Sequence, residues 1–134
     1  MGFVAFQEFD ASGCKAHPAS PTYERCVNWI IRTLQLSSAD SHVGLKLYRI
    51  FRSSGLSAPT VRLDGAISGG PSAPYEALAE VVRSSLPVME TLGIATAAEV
   101  EIDSLALRIR DEVLAEDAVV VAPLLIGAWA RHPG

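Results

Sequence analysis

Two acidic side chains end the apolar segment near the start of the chain, and a histidine follows them. The segment reads GFVAFQEFD, which places Glu8 and Asp10 at its end, and His17 follows in ASGCKAHPAS. In open α/β sheets, ligands bind beyond the carboxyl ends of the strands. There, any of these three groups could accept a proton as a general base, and the carboxylates could instead orient a substrate. The alternative interpretation is a polar strand end or loop cap and an exposed loop histidine.

The two cysteines do not indicate a metal site. A zinc site needs about four ligands. Cys14 and His17 form the one close pair of suitable residues, since His42 and His132 lie far along the chain. A domain of this size does not need a disulfide either. We therefore expect Cys14 and Cys26 to be free thiols and no metal to be bound.

Composition and charge favour a single soluble domain over residues 1–134. Hydrophobic residues make up 49% of the chain and charged residues 19%, which is typical of a globular protein. The net charge of −4 and the absence of a basic cluster argue against nucleic acid as a partner. The longest apolar run, AVVVAPLLIGAWA, is too short for a membrane span and contains Pro123. With no signal-peptide pattern at the start, a cytoplasmic location is expected.

The first half of the chain predicts a strand, a loop and two helices. Residues 3–9 are apolar without alternation, which is typical of a strand covered on both faces. A loop over 11–20 leads to Ser20-Pro21, a helix start with proline at the first helical position, and a helix to Leu36. The next helix is capped by Asp40 or Ser41. It ends at Gly55, where glycine in the left-handed conformation and an apolar Leu56 form a standard helix end.

The second half predicts a strand, two helices and a final strand. TVRLDGAIS alternates like a half-buried strand. The helix over 75–92 contains Pro87, which should kink or split it. Thr96 and Glu99 match a capping box, so a further helix begins there. The last strand, VVVAPLLIGAWAR, should be bulged or bent near Pro123. The predicted order is strand, helix, helix, strand, helix, helix, strand.

The order and spacing of four segments resemble the C-terminal half of a class I S-adenosylmethionine-dependent methyltransferase, of the UbiE-like small-molecule branch. The resemblance implies an α/β fold with a partial Rossmann-like sheet. The implied sheet has three strands in the parental order 5-7-6, and its last strand is antiparallel. Flanking helices and lid helices complete the implied fold. Residues 75–116 correspond to a helical lid inserted within this single domain. The segments are FVAFQEFD, ADSHVGLKLYRIFRSSGL, TVRLDGAIS and VVVAPLLIGAWAR.

The resemblance also implies which residues contact a small-molecule substrate. Gln7 and the carboxylates follow the family's fifth strand, the first helix helps to cover the pocket, and the lid supplies apolar side chains. Ordinary core packing is the alternative for Trp29 and for the apolar lid residues. The candidate substrate-binding residues are Gln7, Tyr23, Arg25, Trp29, Leu86 and Met89.

The family's cofactor signature is missing from this sequence. In the family, a glycine-rich loop after the first strand and an acid after the second hold S-adenosylmethionine, with chemistry related to the Rossmann fingerprint. SGG at 68–70 leads into PSAP without such an acid and is interpreted as a turn. We therefore expect a substrate-side half of a methyltransferase, truncated or split, that does not bind the methyl donor alone and has no cofactor-binding residue.

Two functions remain open at this point. The first is the substrate-side half of the enzyme, which places a small-molecule acceptor for methyl transfer. The second is a non-catalytic remnant that serves as a dimerisation or partner-binding module, or that complements a separate cofactor-binding half. In both, the first strand lacks its family neighbour and presents an unpaired edge, and such edges pair with another chain. A homodimer, or a larger assembly through this strand, is therefore expected.

Overall fold

The computed structural model describes residues 2–132 as a mixed α/β domain. Most helices are long, and one is a single turn. The helices are α1 (Pro21–Leu36), α2 (Val43–Ser53), α3 (Tyr75–Thr91), α4 (Ala97–Val100) and α5 (Ile102–Ala115). The strands are β1 (Phe3–Asp10), β2 (Lys15–His17), β3 (Thr60–Asp64), β4 (Ile67–Gly69), β5 (Val119–Val121) and β6 (Leu124–Arg131).

The strands form two antiparallel sheets that follow one another. In the first sheet, β6 lies between β1 and β3, with Ala128 opposite both Phe6 and Val61. In the second sheet, β5 lies between β2 and β4. Each strand of the first sheet connects along the chain to one strand of the second, in the same lateral order. The two sheets are thus successive segments of one three-stranded ribbon.

A bend separates the two sheets. The central chain leaves strand geometry at Ala122 and Pro123, where the Ala122 amide donates to the carbonyl of Ala66 over 3.0 Å. At Gly65 a β-carbon would lie 2.8 Å from Leu124 Cδ2, so a larger residue there would require the end of the Leu124 side chain to shift. The predicted bend near Pro123 is confirmed. The prediction of one continuous strand in TVRLDGAIS is wrong, because the chain turns at this bend.

The predicted loop over 11–20 also contains a strand. Lys15–His17 form β2, which pairs with Val119–Val121. The local sequence ASGCKAHPAS carries no strand pattern, so the pairing partner, distant in sequence, determines this strand.

The start of α1 and the end of α2 agree with the predictions. Ser20 is the N-cap of α1 and accepts a hydrogen bond from the amide of Tyr23, with Pro21 at the first position. Gly55 has φ +78°, and the Leu56 amide donates to the carbonyl of Phe51. The predicted cap of α2 is wrong, because His42 is the N-cap residue.

The helical segment between β4 and β5 differs from the prediction at two points. α3 continues through Pro87 without a split. The capping box of Thr96 and Glu99 is present, but it begins only the single turn α4. Glu101 then adopts φ +47° and separates α4 from α5. The carbonyls of Val100 and Glu101 both accept from Arg108, which satisfies groups left open by the break.

Two hydrophobic cores hold the domain together. The larger core joins α1, α3, α5 and the second sheet, and it includes Met89, Leu105 and Ile109. The smaller core lies between α2 and the first sheet, where Phe51 packs edge to face on Phe6. Because α2 covers one face of this sheet, the prediction that the first strand is covered on both faces is wrong.

The opposite face of the first sheet is largely bare. Phe3 and Phe9 are 69% and 67% exposed on it, and Trp129 is also exposed. The strand β3 is exposed along its whole length, so the prediction of a half-buried strand is wrong as well. Within residues 2–132, β1 pairs with β6 on one side and has no strand on the other.

Candidate functional site

Two adjoining apolar cavities lie at the bend of the ribbon, between α1 and α3. Their volumes are about 220 and 300 Å³, and they share Tyr23, Leu78, Val81 and Pro123 in their walls. We call these two adjoining cavities together the α1–α3 groove. Phe9 and Ala11, on either side of the last residue of β1, line its larger part. The groove therefore begins at the carboxyl end of the first strand.

The walls of the groove are uncharged. The hydroxyl of Tyr23 donates to the carbonyl of Val121 over 2.6 Å, and burial raises the pKa of this phenol far above its usual value. Burial also raises the pKa of the Cys14 thiol, which lines the larger cavity. Both groups therefore remain neutral at physiological pH, so the groove suits an apolar ligand.

A carboxylate and a histidine form a hydrogen-bonded pair at the end of β1. Asp10 Oδ2 is 3.3 Å from His42 Nδ1; the side chain of Asp10 is 2% exposed and that of His42 is 47% exposed. The other carboxylate oxygen of Asp10 accepts from both the amide and the hydroxyl of Ser12. Burial acts to raise the pKa of Asp10, but the hydrogen bonds from Ser12 and His42 outweigh it and leave the pKa below its usual value.

The ionised state of Asp10 determines which nitrogen of His42 carries the proton in neutral imidazole. An ionised carboxylate only accepts hydrogen bonds, so Nδ1 must be the donor. Nε2 is then left with a free lone pair on a half-exposed ring. A second interaction fixes the backbone here, since the His42 amide donates to Asp40 Oδ1 over 2.9 Å. The arrangement can accept a proton from a bound molecule.

The predicted proton-accepting residues lie in three different places. Asp10 is buried and paired, so its role in this geometry is to orient His42. Glu8 lies opposite Ile126, on the face of the sheet that α2 covers. His17 is exposed in β2, opposite Val119 of the second sheet. The structure therefore does not bring the three together.

One predicted substrate-binding residue lines the groove. Tyr23 forms part of both cavities, whereas Trp29 and Met89 are buried in the larger core. Leu86 packs at the edge of that core, and Arg25 is exposed on α1. Gln7 lies on the bare face of the first sheet, in the row of Gly127 and Arg62, and lines neither cavity.

His42 is the site residue that the sequence did not single out. Its partner Asp10 is 32 residues away, so no local pattern joins the two. The available signal was the segment ADSH, in which Asp40 and Ser41 come just before His42 and the start of α2. Asp and Ser side chains in such positions stabilise a turn, because each can accept a hydrogen bond from the backbone amide two residues later. Ser41, the neighbour of His42, lines the larger cavity.

Glu112 fixes α1 and thereby one wall of the groove. Its carboxylate on α5 accepts from the Ser20 hydroxyl over 2.6 Å and from the Thr22 amide over 3.0 Å, at the first turn of α1. Burial acts to raise the pKa of Glu112, but these hydrogen bonds hold it below its usual value. A carboxylate at a helix N-terminus is also favoured by the helix dipole.

Replacing Glu112 by glutamine is expected to lower the free energy of unfolding by about 1–3 kcal/mol, because charge-assisted hydrogen bonds are lost. The stabilisation is present above the ordinary Glu pKa of 4.5 and is lost as the pH falls through the lower pKa of the folded state. Urea denaturation at pH 7 and at pH 3 tests both effects. The exposed Asp111→Asn variant is the control and should change little. Equal losses for both variants would contradict the anchoring role.

The glycines of the SGG turn at 68–70 lie at the end of β4. Gly69 is the last residue of this strand, and a β-carbon there would lie 3.0 Å from the carbonyl oxygen of Ala118. The carbonyl of Gly70 accepts from the hydroxyl of Tyr75 over 2.8 Å. Gly69 therefore lies close to the chain's own backbone, whereas a β-carbon on Gly70 would meet no atom within 4 Å.

Metal-ligand clusters and membrane-spanning helices are absent from the described part of the chain. Within residues 2–132, no three His, Cys, Asp or Glu side chains converge to hold a metal ion. None of the helices described there is both long enough and apolar enough to cross a bilayer. Cys14 and Cys26 are free thiols.

No family model matches the sequence, and no curated protein matches it either. The features of this chain that bear on its function are therefore the groove, the Asp10–His42 pair and the order of the strands.

Proposed function

We propose that this chain is the substrate-binding part of a cytoplasmic, class I S-adenosylmethionine-dependent methyltransferase that acts on a small molecule. The order of the first sheet is the observation that carries the proposal. The last strand, β6, lies between the first strand and β3 and is antiparallel to both. The resemblance implies the same arrangement, with parental strands five, seven and six in this lateral order.

The position of the groove supports the proposal as well. It opens at the carboxyl end of β1, which corresponds to strand five, and this is where α/β folds bind their ligands. α3 forms one wall of the groove and belongs to the segment that resembles a lid. Apolar walls with a few polar groups are typical of small-molecule sites.

In this proposal, a separate cofactor-binding half holds the methyl donor. The sequence lacks the glycine-rich loop and the acid that hold the cofactor in the family, so we assign to this chain the binding of the acceptor and the control of its proton. The free edge of β1 supports this division, because it offers backbone groups to a further strand. The strand that would pair with this free edge of β1 corresponds to strand four of the family.

The test compares this chain with the protein extended upstream through the same reading frame. We expect the chain alone to show no measurable binding of S-adenosylmethionine by calorimetry. The extended protein should bind it with micromolar affinity and transfer a labelled methyl group to an acceptor. Micromolar binding by the chain alone would overturn the division, and an upstream frame without a strand and glycine loop would overturn the methyltransferase proposal.

The bare face of the first sheet favours a second candidate function, a non-catalytic partner-binding module. Phe3, Phe9 and Trp129 expose apolar surface there, and such patches mark interaction sites. In this case the protein would associate through that face and β1, and would bind no small molecule in the α1–α3 groove. Ligand binding to the groove therefore distinguishes the two candidates.

A further inference from the structure

We propose that the α1–α3 groove binds an uncharged molecule with an apolar body and one hydrogen-bonding group, and that the hydroxyl of Ser41 pairs with this group. The inference rests on the proposed function, because it names the chemical class of the substrate that would bind in the same groove. An unpaired hydroxyl in the wall of an otherwise apolar cavity is the observation that carries it.

The walls of the groove favour a ligand without charge. Among residues 2–132, no Lys, Arg, His, Asp or Glu lines either of its two cavities. The phenol of Tyr23, which lines both, already donates to the carbonyl of Val121. A charged ligand would lose its hydration in the groove without gaining a charged partner, whereas an apolar body would leave no buried polar group unpaired.

The larger cavity has the size of a small-molecule site. Its volume of about 300 Å³ lies at the lower end of the range of about 300–1,000 Å³ that is usual for such sites. Phe9 forms part of its wall and is 67% exposed, so the cavity is open to solvent on the bare side of the first sheet. A molecule of one or two rings is therefore the size that it admits.

Ser41 differs from the other buried polar residues of the described chain. Asp10, Ser20 and Thr33 are buried with their side chains hydrogen-bonded within the protein. Ser41 is 8% exposed and lines the larger cavity, but its hydroxyl forms no hydrogen bond with another group in residues 2–132. Among the fully enclosed side-chain nitrogen and oxygen atoms there, Arg110 Nε alone lacks a partner, so the Ser41 hydroxyl is not fully enclosed.

A ligand group can therefore reach the Ser41 hydroxyl and satisfy it. Buried polar groups in native proteins are nearly always hydrogen-bonded, so an exception in a cavity wall indicates a place for a partner. A serine hydroxyl both donates and accepts, so a hydroxyl, a carbonyl or a neutral amide of the ligand would suit it. Ile30 and Leu34 in the same wall have only apolar side chains, which fit the body of the ligand.

The test uses three probes that share one ring system. At pH 7, 2-naphthol is uncharged and carries a hydroxyl, naphthalene is uncharged and carries none, and 2-naphthoate is negatively charged. We expect fluorescence titration to show binding of both uncharged probes, and about tenfold or more weaker binding of 2-naphthoate. Ser41→Ala should lower the ratio of the affinities for 2-naphthol and naphthalene by about threefold or more, because only 2-naphthol can bond the hydroxyl.

Matched variants locate the effect. Ser84 is exposed on α3 and lines neither cavity, so Ser84→Ala should leave the ratio unchanged. Val81→Trp places a large ring in the wall that the two cavities share and should weaken both uncharged probes by about tenfold or more. Val81 is 46% exposed, so this variant should fold. Ser41→Ala should keep the melting temperature of the unaltered protein, since it removes no hydrogen bond within the chain.

An unchanged affinity ratio in Ser41→Ala, or a lower melting temperature of this variant, would overturn the role of Ser41. Binding of 2-naphthoate as tight as that of 2-naphthol, or no effect of Val81→Trp, would overturn the uncharged ligand in this groove. An affinity that falls as the protein concentration rises would assign the groove to a second copy of the chain, which also overturns the proposal.

These outcomes are distinct from failure of the proposed function. Probe binding needs no methyl donor and no cofactor-binding half. A chain that binds 2-naphthol through Ser41, while the extended protein transfers no methyl group, would retain this site and lose the methyltransferase assignment.

Discussion

Replacing Leu105 by alanine is expected to lower the free energy of unfolding by about 2–5 kcal/mol. Leu105 has no exposed surface and lies in the larger core, on the helix α5. α5 packs against both α1 and α3, so the cavity left by the missing atoms lies between three helices that hold one another in place.

Urea denaturation followed by far-ultraviolet circular dichroism measures this loss. The control is Leu107→Ala on the same helix, where the leucine is 55% exposed and lines a separate, more polar depression. Substitutions of exposed residues usually change stability by about 0.5 kcal/mol or less. Similar losses in the two variants would contradict the placement of the core. The Leu105→Ala variant should bind a ligand in the α1–α3 groove more weakly only to the extent that a smaller fraction of the protein is folded.

The elements that the sequence predicted correctly depend on residues close together in the chain. Ser20 with Pro21 fixes the start of α1, and Thr96 with Glu99 fixes the start of α4, because each cap bonds an amide about three residues away. The left-handed glycine at Gly55 is equally local. Such signals need no knowledge of the tertiary structure, so sequence patterns reveal them.

The features that the sequence did not predict depend on distant residues. β2 is a strand because β5 passes beside it, and Glu112 reaches Ser20 across 92 positions. The pairing of Asp10 with His42 also joins residues that are distant in the sequence. For that reason sequence patterns indicated Asp10, but indicated His17 and not His42 as the candidate histidine. The apolar pattern of β1 predicts a strand correctly, but its coverage depends on where α2 packs.

Replacing Gln7 by proline is expected to abolish self-association of the protein. We expect the unaltered chain to be a dimer at micromolar concentration, because the free edge of β1 can pair with the same edge of a second copy. The amide of His132 donates to the carbonyl of Gly2 over 2.9 Å, which places Gly2 in a hydrogen-bonded pair with β6. Hydrogen-bonded pairs alternate along antiparallel strands, so the amide of Gln7 faces away from β6.

Proline at position 7 therefore removes a donor from the free edge and leaves the bonds between β1 and β6 in place. Prolines are tolerated at edge positions of this kind. Sedimentation velocity over a range of concentrations should show a dimer for the unaltered protein and a monomer for Gln7→Pro, with the same circular dichroism spectrum. Glu8→Pro is the matched control: its amide faces β6, so this variant should lose stability rather than association alone. A stable monomer of the unaltered protein, or a dimer of Gln7→Pro, would exclude the edge of β1 as the contact, and the bare face around Phe3 and Trp129 would then be the surface to substitute.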